Sequence, residues 1–194
     1  MPVKRTIPVS SGMFFITFTC YRWLPLIERA NGYDLVYNWF NLLKRNGHYI
    51  NGYVVMPNHL HAMISFVNIG KNINSIVGNG KRFMAYEIIS RLGTYKECDL
   101  LDQLAIGIEP KRIENKKRHN VWELSFDWKE CIGSDFIWQK LNYMHANPCQ
   151  GKWSLAVNDI EYPHSSAKYY LTGEQGEFPV TDFTEMMDIS FESN

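Results

Sequence analysis

What this 194-residue sequence lacks narrows it first. No apolar run approaches the length needed to cross a bilayer, and the opening residues, Met1-Pro2-Val3-Lys4-Arg5, have no apolar centre of the kind a secretory leader carries. A cytoplasmic location, with no membrane partner, is the resulting expectation. The four cysteines, Cys20, Cys98, Cys131 and Cys149, are scattered and form no C-x-x-C pair, so reduced, mostly buried thiols are expected rather than a disulfide framework. There are no repeats and no low-complexity segments. Net charge is absent too: twenty Lys and Arg balance twenty Asp and Glu, a balance that taken alone argues against a nucleic-acid partner.

The distribution of charge points the other way. Glu174, Glu177, Asp182, Glu185, Asp188 and Glu192 all follow Lys168, and no basic residue does. The first 168 residues therefore hold twenty basic against fourteen acidic side chains, a surplus of six positive charges. Cations bunch at Lys111-Arg112 and at Lys116-Lys117-Arg118-His119. A basic body with an acidic extension over 171–194 suits a polyanionic partner.

With 45% hydrophobic and 14% aromatic residues the chain is globular, and its length suits one domain. Residues 12–21 are aromatic and β-branched, with Thr17 and Thr19 on one face of a predicted strand. Helical periodicity over 33–46 places Leu35, Val36, Trp39, Phe40, Leu42 and Leu43 on a broad apolar face, closed by Gly47. Strands are predicted at 49–56 and 59–66, joined by the Pro57-Asn58 corner. A second helix, capped by Asn74 or Ser75, is expected to run to about Leu92 with Phe83, Met84, Ile88 and Ile89 facing the sheet. A short helix is expected within 95–108, a fourth strand at 121–132, and a helix over 136–145 capped by Ser134 or Asp135 and ended by Pro148. The order β-α-β-β-α-β followed by a helix predicts an α+β fold: a ferredoxin-like, split βαβ antiparallel sheet with helices on one face, spanning residues 1–170.

Two segments carry chemistry. In Pro57-Asn58-His59-Leu60-His61, alternation along a strand puts His59 and His61 on one face and Leu60 on the other. Paired imidazoles on a stiff strand are half of a metal site, or two core histidines with satisfied ring nitrogens. In Trp138-Gln139-Lys140-Leu141-Asn142-Tyr143-Met144-His145-Ala146-Asn147-Pro148, Tyr143 and Asn147 lie one helical turn apart on the same face. That pair offers a nucleophile and an amide oxygen, or an ordinary packing tyrosine and helix terminus.

Together with Trp122, Phe126 and the Tyr162-Pro163-His164-Ser165-Ser166-Ala167 segment, these motifs resemble the REP-associated tyrosine transposases, members of the single-tyrosine HUH group, over roughly residues 10–170. The resemblance implies a metal-dependent endonuclease and strand transferase acting on single-stranded or hairpin DNA. It assigns Tyr143 as nucleophile, His59, His61 and Asn147 as ligands of Mg²⁺ or Mn²⁺, and a 5′-phosphotyrosine intermediate; relatives occur as monomers and as dimers. DNA contacts are expected from Lys81, Arg82, Lys111, Arg112, Lys116, Lys117, Arg118 and Lys140; Trp128 and Trp138 are candidates for base stacking, with core packing the favoured role for each. A protein of the same fold that binds DNA repeats without cutting them is the alternative. A metal-dependent hydrolase using water is a third reading, and it requires a nearby carboxylate base that the sequence does not place. Two departures stand out: Lys129 occupies the place of a histidine, and His164 that of a tryptophan, found in many relatives.

Overall fold

Strands β1 (Gly12–Thr19), β2 (Tyr49–Met56) and β3 (His59–Phe66) form where aromatic and β-branched residues crowd together. They join a short β4 (Asp127–Glu130) in one antiparallel sheet of order β2-β3-β1-β4. The computed structural model describes residues 6–106, 119–124, 126–151, 153–186, 189 and 191. Helix α1 (Leu26–Arg29) is a single turn; α2 (Tyr33–Arg45) links β1 to β2, and α3 (Ile73–Thr94) and α4 (Cys98–Ile106) follow β3. Helix α5 (Ser134–Ala146) follows β4, and α6 (Ala167–Thr172) lies near the C-terminal end. The α+β class and the split βαβ sheet are those expected.

Both faces of the sheet are covered, which is why every residue of β3 is buried. On one face Phe14, Ile16, Phe18, Leu60, Ala62 and Ile64 pack against Trp39 and Phe40 of α2 and Met84 and Ile88 of α3. On the other, Met13, Phe15, Val54 and Met63 meet Ile137, Leu141 and Met144 of α5. Helices α2 and α3 thus take one face, and α5, where the sequence also predicts a helix, occupies the opposite one.

Two glycines set how closely helices approach. A Cβ at Gly80 would fall inside the Trp39 indole, so α3 crosses α2 at a distance only glycine allows. A Cβ at Gly52 on β2 would lie 2.6 Å from Leu141 Cδ2, so α5 is seated directly on the strand.

Some boundaries differ from expectation. Helix α3 starts earlier, because Asn72 accepts the Asn74 amide at 2.8 Å. Asn74 is committed elsewhere: it accepts from Ile7 N and donates to Ile7 O. Phe83 points outward at 59% exposure, since the buried positions are Ile73, Val77, Gly80, Met84, Ile88 and Leu92. The residue before α5 is Gly133 (φ 79°), not Ser134 or Asp135. Strand β4 covers only four of the expected residues. Upstream of it residues 121–123 still pair with the end of β1, Trp122 bridging Cys20 and Glu123 N donating to Thr19 O. The register shifts between the Thr17–Asp127 and Cys20–Trp122 pairs, which ends the regular ladder; the Trp122 indole donates to Lys81 O of α3.

Residues 164–181 run along the outer edge of β2. Val55 N donates to His164 O, Ser166 N to Tyr53 O and Thr181 N to Ile50 O, so that edge is covered. Phe178 and Val180 are buried on the α2 side, Phe183 and Met186 on the α5 side. No helix among the described residues is long and apolar enough to cross a membrane.

Candidate functional site

The register of the sheet builds the site. His61 sits opposite Thr17 of β1 and Val54 of β2, while His59 sits opposite Thr19 and Met56. Directly paired residues share a face, so both imidazoles project on the α5 side, and Leu60 is buried on the other. The rings are 4.8 Å apart at 76°.

Hydrogen bonds fix which ring nitrogens are engaged. His61 Nδ1 is 2.8 Å from Thr17 Oγ1, and His59 Nδ1 is 2.7 Å from Asn58 Oδ1. Asn58 Nδ2 donates to the carbonyl of Trp23 at 3.0 Å, which orients the amide with its oxygen toward His59. An amide oxygen accepts only, so His59 carries its proton on Nδ1 and its lone pair on Nε2. Burial depresses both groups, His59 to about 4 and His61 to about 3, with the neighbouring His59 and Lys140 adding to the effect on His61. Both rings are therefore neutral above about pH 5, the form that ligates metals.

Tyr143 completes the cluster. Its ring lies 5.4 Å from His61 and 6.3 Å from Phe15, which itself stacks on His61 at 5.2 Å. Tyr143 is 54% exposed, accessible from outside while its ring packs beside His61. Lys140, one turn earlier, holds its ammonium 5.5 Å from the Phe15 ring, 5.2 Å from Phe136 and 5.8 Å from Tyr143, a positive charge at the rim of the site. Asn147 follows α5, and its Nδ2 donates to Tyr143 O at 2.8 Å. That bond ties Asn147 to the tyrosine turn rather than to either histidine. His145 points away from Tyr143, as the helical spacing predicts: it is buried, with Nε2 2.8 Å from Ser166 Oγ. Ser166 in turn binds Tyr53 of β2, so this bond latches α5 to the sheet edge.

The remaining sequence expectations divide. Lys81 donates to Glu123 O at 3.1 Å and lies over Phe18, so its ammonium has an internal partner. Arg82 is exposed, lying over Phe83. Lys111, Arg112, Lys116, Lys117 and Arg118 lie outside the described residues. Trp138 packs edge-on against Tyr170 and Phe183, and Trp128 against Phe14. No group of three or more His, Cys, Asp or Glu suited to a metal occurs among the described residues, so no carboxylate joins the histidine pair. Asn58 and Trp23 are site elements that the sequence alone does not single out. Asn58 has a signal in its place beside His59; Trp23 has none, because only the tertiary fold carries it there.

A four-stranded ferredoxin-like sheet bearing His-x-His on a central strand, with a tyrosine helix on the same face, defines the architecture. No protein-family model and no curated protein matches the sequence. Among solved structures, the chain is similar to a REP-associated tyrosine transposase bound to a REP hairpin, with a TM-score of 0.56, 18% identity, and 100% of this chain and 98% of that one covered. A candidate transposase from Deinococcus radiodurans R1 gives a weaker likeness, with a TM-score of 0.42, 16% identity, and 74% of this chain and 95% of that one covered. The fold of this chain is that of the REP-associated tyrosine transposase.

Proposed function

We propose that the protein is a DNA-cutting and strand-joining transposase of the single-tyrosine HUH class, acting on single-stranded or hairpin DNA. The observation that carries this reading is the Tyr143 ring packed beside His61 in its own chain. A second copy is not needed to bring nucleophile and histidines together.

The donor set fits a hard divalent cation, Mg²⁺ or Mn²⁺. Each Nδ1 is engaged by Thr17 or Asn58, leaving Nε2 of His59 and His61 as donors; the Asn147 oxygen, whose amide nitrogen is held by Tyr143 O, would be the third. Bound there, such an ion supplies Lewis-acid polarisation of a phosphate oxygen. Tyr143 Oη attacks phosphorus and gives up its proton; the P–Oη bond forms, and the bond to the 3′ oxygen breaks, leaving a 3′-hydroxyl after protonation. The 5′-phosphotyrosine conserves the phosphodiester, so attack by a 3′-hydroxyl rejoins DNA and frees Tyr143 without a nucleotide cofactor. Lys140 places a cation beside the phosphate that Tyr143 engages.

The decisive experiment incubates the protein with labelled single-stranded hairpin DNA and Mn²⁺ and looks for a denaturation-resistant protein–DNA adduct. An adduct is expected. If a varied pool of substrates is bound but never yields one, the non-cleaving repeat-binding reading replaces this one.

Asn58 provides a second check. Asn58→Ala removes the acceptor that holds His59 in its tautomer, and outer-shell changes of this kind weaken metal binding about 10–100-fold. Calorimetric titration with Mn²⁺ should register that loss, and unchanged affinity would remove Asn58 from the site.

A further inference from the structure

The connection between β1 and α1 carries an unusual backbone. Arg22 (φ 52°) and Trp23 (φ 58°) are consecutive non-glycine residues in the left-handed region. Neither residue type favours it, so the surroundings must impose the conformation. They do so with a dense set of hydrogen bonds. Tyr21 N donates to Val121 O, Arg22 N to Glu123 Oε1 at 2.9 Å, Trp23 N to Cys20 O and Leu24 N to Tyr21 O, while the Trp23 carbonyl accepts from Asn58 Nδ2.

This rigid turn holds an indole outside the core. Trp23 is 58% exposed, more than any other tryptophan of the chain: Trp39 is at 5%, Trp122 at 8% and Trp138 at 41%, and Trp128 and Trp153 are only partly exposed. Its ring lies 5.7 Å from His59 at 68°, while Tyr143 packs beside the other histidine, His61. Arg22 beside it is also exposed. A large aromatic face kept in solvent by a strained, hydrogen-bonded turn, at the edge of a site for phosphate chemistry, matches what an unpaired nucleobase requires: a flat, preorganised stacking surface with a cation nearby.

We infer that Trp23 is a stacking platform for an unpaired base of the DNA strand held at the His59–His61 site. The inference rests on the nucleic-acid reading above and assigns the subsite that reading leaves open. The turn positions two things at once. Its carbonyl orients Asn58, and through it His59, while its side chain receives the base next to the phosphate. Base docking and histidine orientation thus share one rigid element.

The test compares binding of fluorescently labelled dT15 with that of a 15-unit oligomer of the same backbone lacking all bases, by anisotropy at fixed salt in EDTA. Base stacking on an aromatic contributes roughly 5- to 150-fold in affinity per base. The wild-type protein is expected to prefer dT15 by a factor in that range. Trp23→Ala is expected to lose most of the preference while binding the abasic oligomer as the wild type does, and Trp23→Phe to retain much of it. Circular dichroism confirms that each variant is folded. A wild-type protein that binds neither oligomer overturns the nucleic-acid reading itself. One that binds both equally, or a Trp23→Ala protein that still discriminates as the wild type does, overturns the platform and leaves that reading standing.

Discussion

Replacing Tyr143 by phenylalanine is expected to abolish the covalent adduct and lower strand cleavage at least roughly 10³-fold, since the variant lacks the atom that attacks phosphorus. The fold should be indifferent to the change. Tyr143 is 54% exposed, and its ring contacts with Phe15 and His61 are ones that phenylalanine keeps. Thermal melting and affinity for single-stranded DNA should therefore match the wild type, which isolates chemistry from binding. Denaturing gels of end-labelled hairpin DNA read both products. Continued cleavage by the phenylalanine variant would mean that water is the nucleophile. That outcome would demand a base among residues outside the histidine cluster, because no carboxylate joins it among the described residues.

The sequence carries much of this arrangement and leaves specific parts hidden. Alternation in β3 is enough to place His59 and His61 on one face, because a strand's period does not depend on its neighbours. Helical spacing likewise separates His145 from Tyr143, and the structure puts His145 in a buried bond to Ser166. What no local pattern reports is register. Thr17 is legible as lying on a strand face, but its pairing with His61 follows from how β1 and β3 align over eight residues. The two-sided sheet is only partly legible. Helices α2 and α3 cover one face as expected, whereas the equally legible helix α5 lies on the other, where Gly52 leaves room for Leu141. Trp23 is hidden for a further reason: it sits in an irregular turn held by residues about 35 and 100 positions away, Asn58 and Glu123.

That dependence on Gly52 yields the last expected result. Gly52→Ala should destabilise the protein by about 1–3 kcal/mol, the usual range for one group too many in a packed core. The reason is geometric. The new Cβ would lie 2.6 Å from Leu141 Cδ2 and 3.3 Å from Met144 Cε, and both side chains are fully buried, so these methyls must shift within a packed layer. For a chain of this size each kcal/mol corresponds to roughly 2–4 °C in melting temperature. The effect on cleavage should exceed the effect on folding. Leu141 and Met144 flank Tyr143 in sequence on α5, so relief of the clash by lifting the helix moves the nucleophile away from His61; a displacement near 1 Å costs about 10²-fold in rate. The double variant Gly52→Ala with Leu141→Ala should recover part of the lost cleavage relative to Gly52→Ala alone, since the closest clashing methyl is gone, even though the space left by Leu141 lowers stability further. Opposite movement of rate and melting temperature in that pair would be hard to obtain from a change in folded fraction. If Gly52→Ala instead melts and cleaves as the wild type does, α5 is not seated by this contact, and the latch from His145 to Ser166 must hold Tyr143 in place unaided.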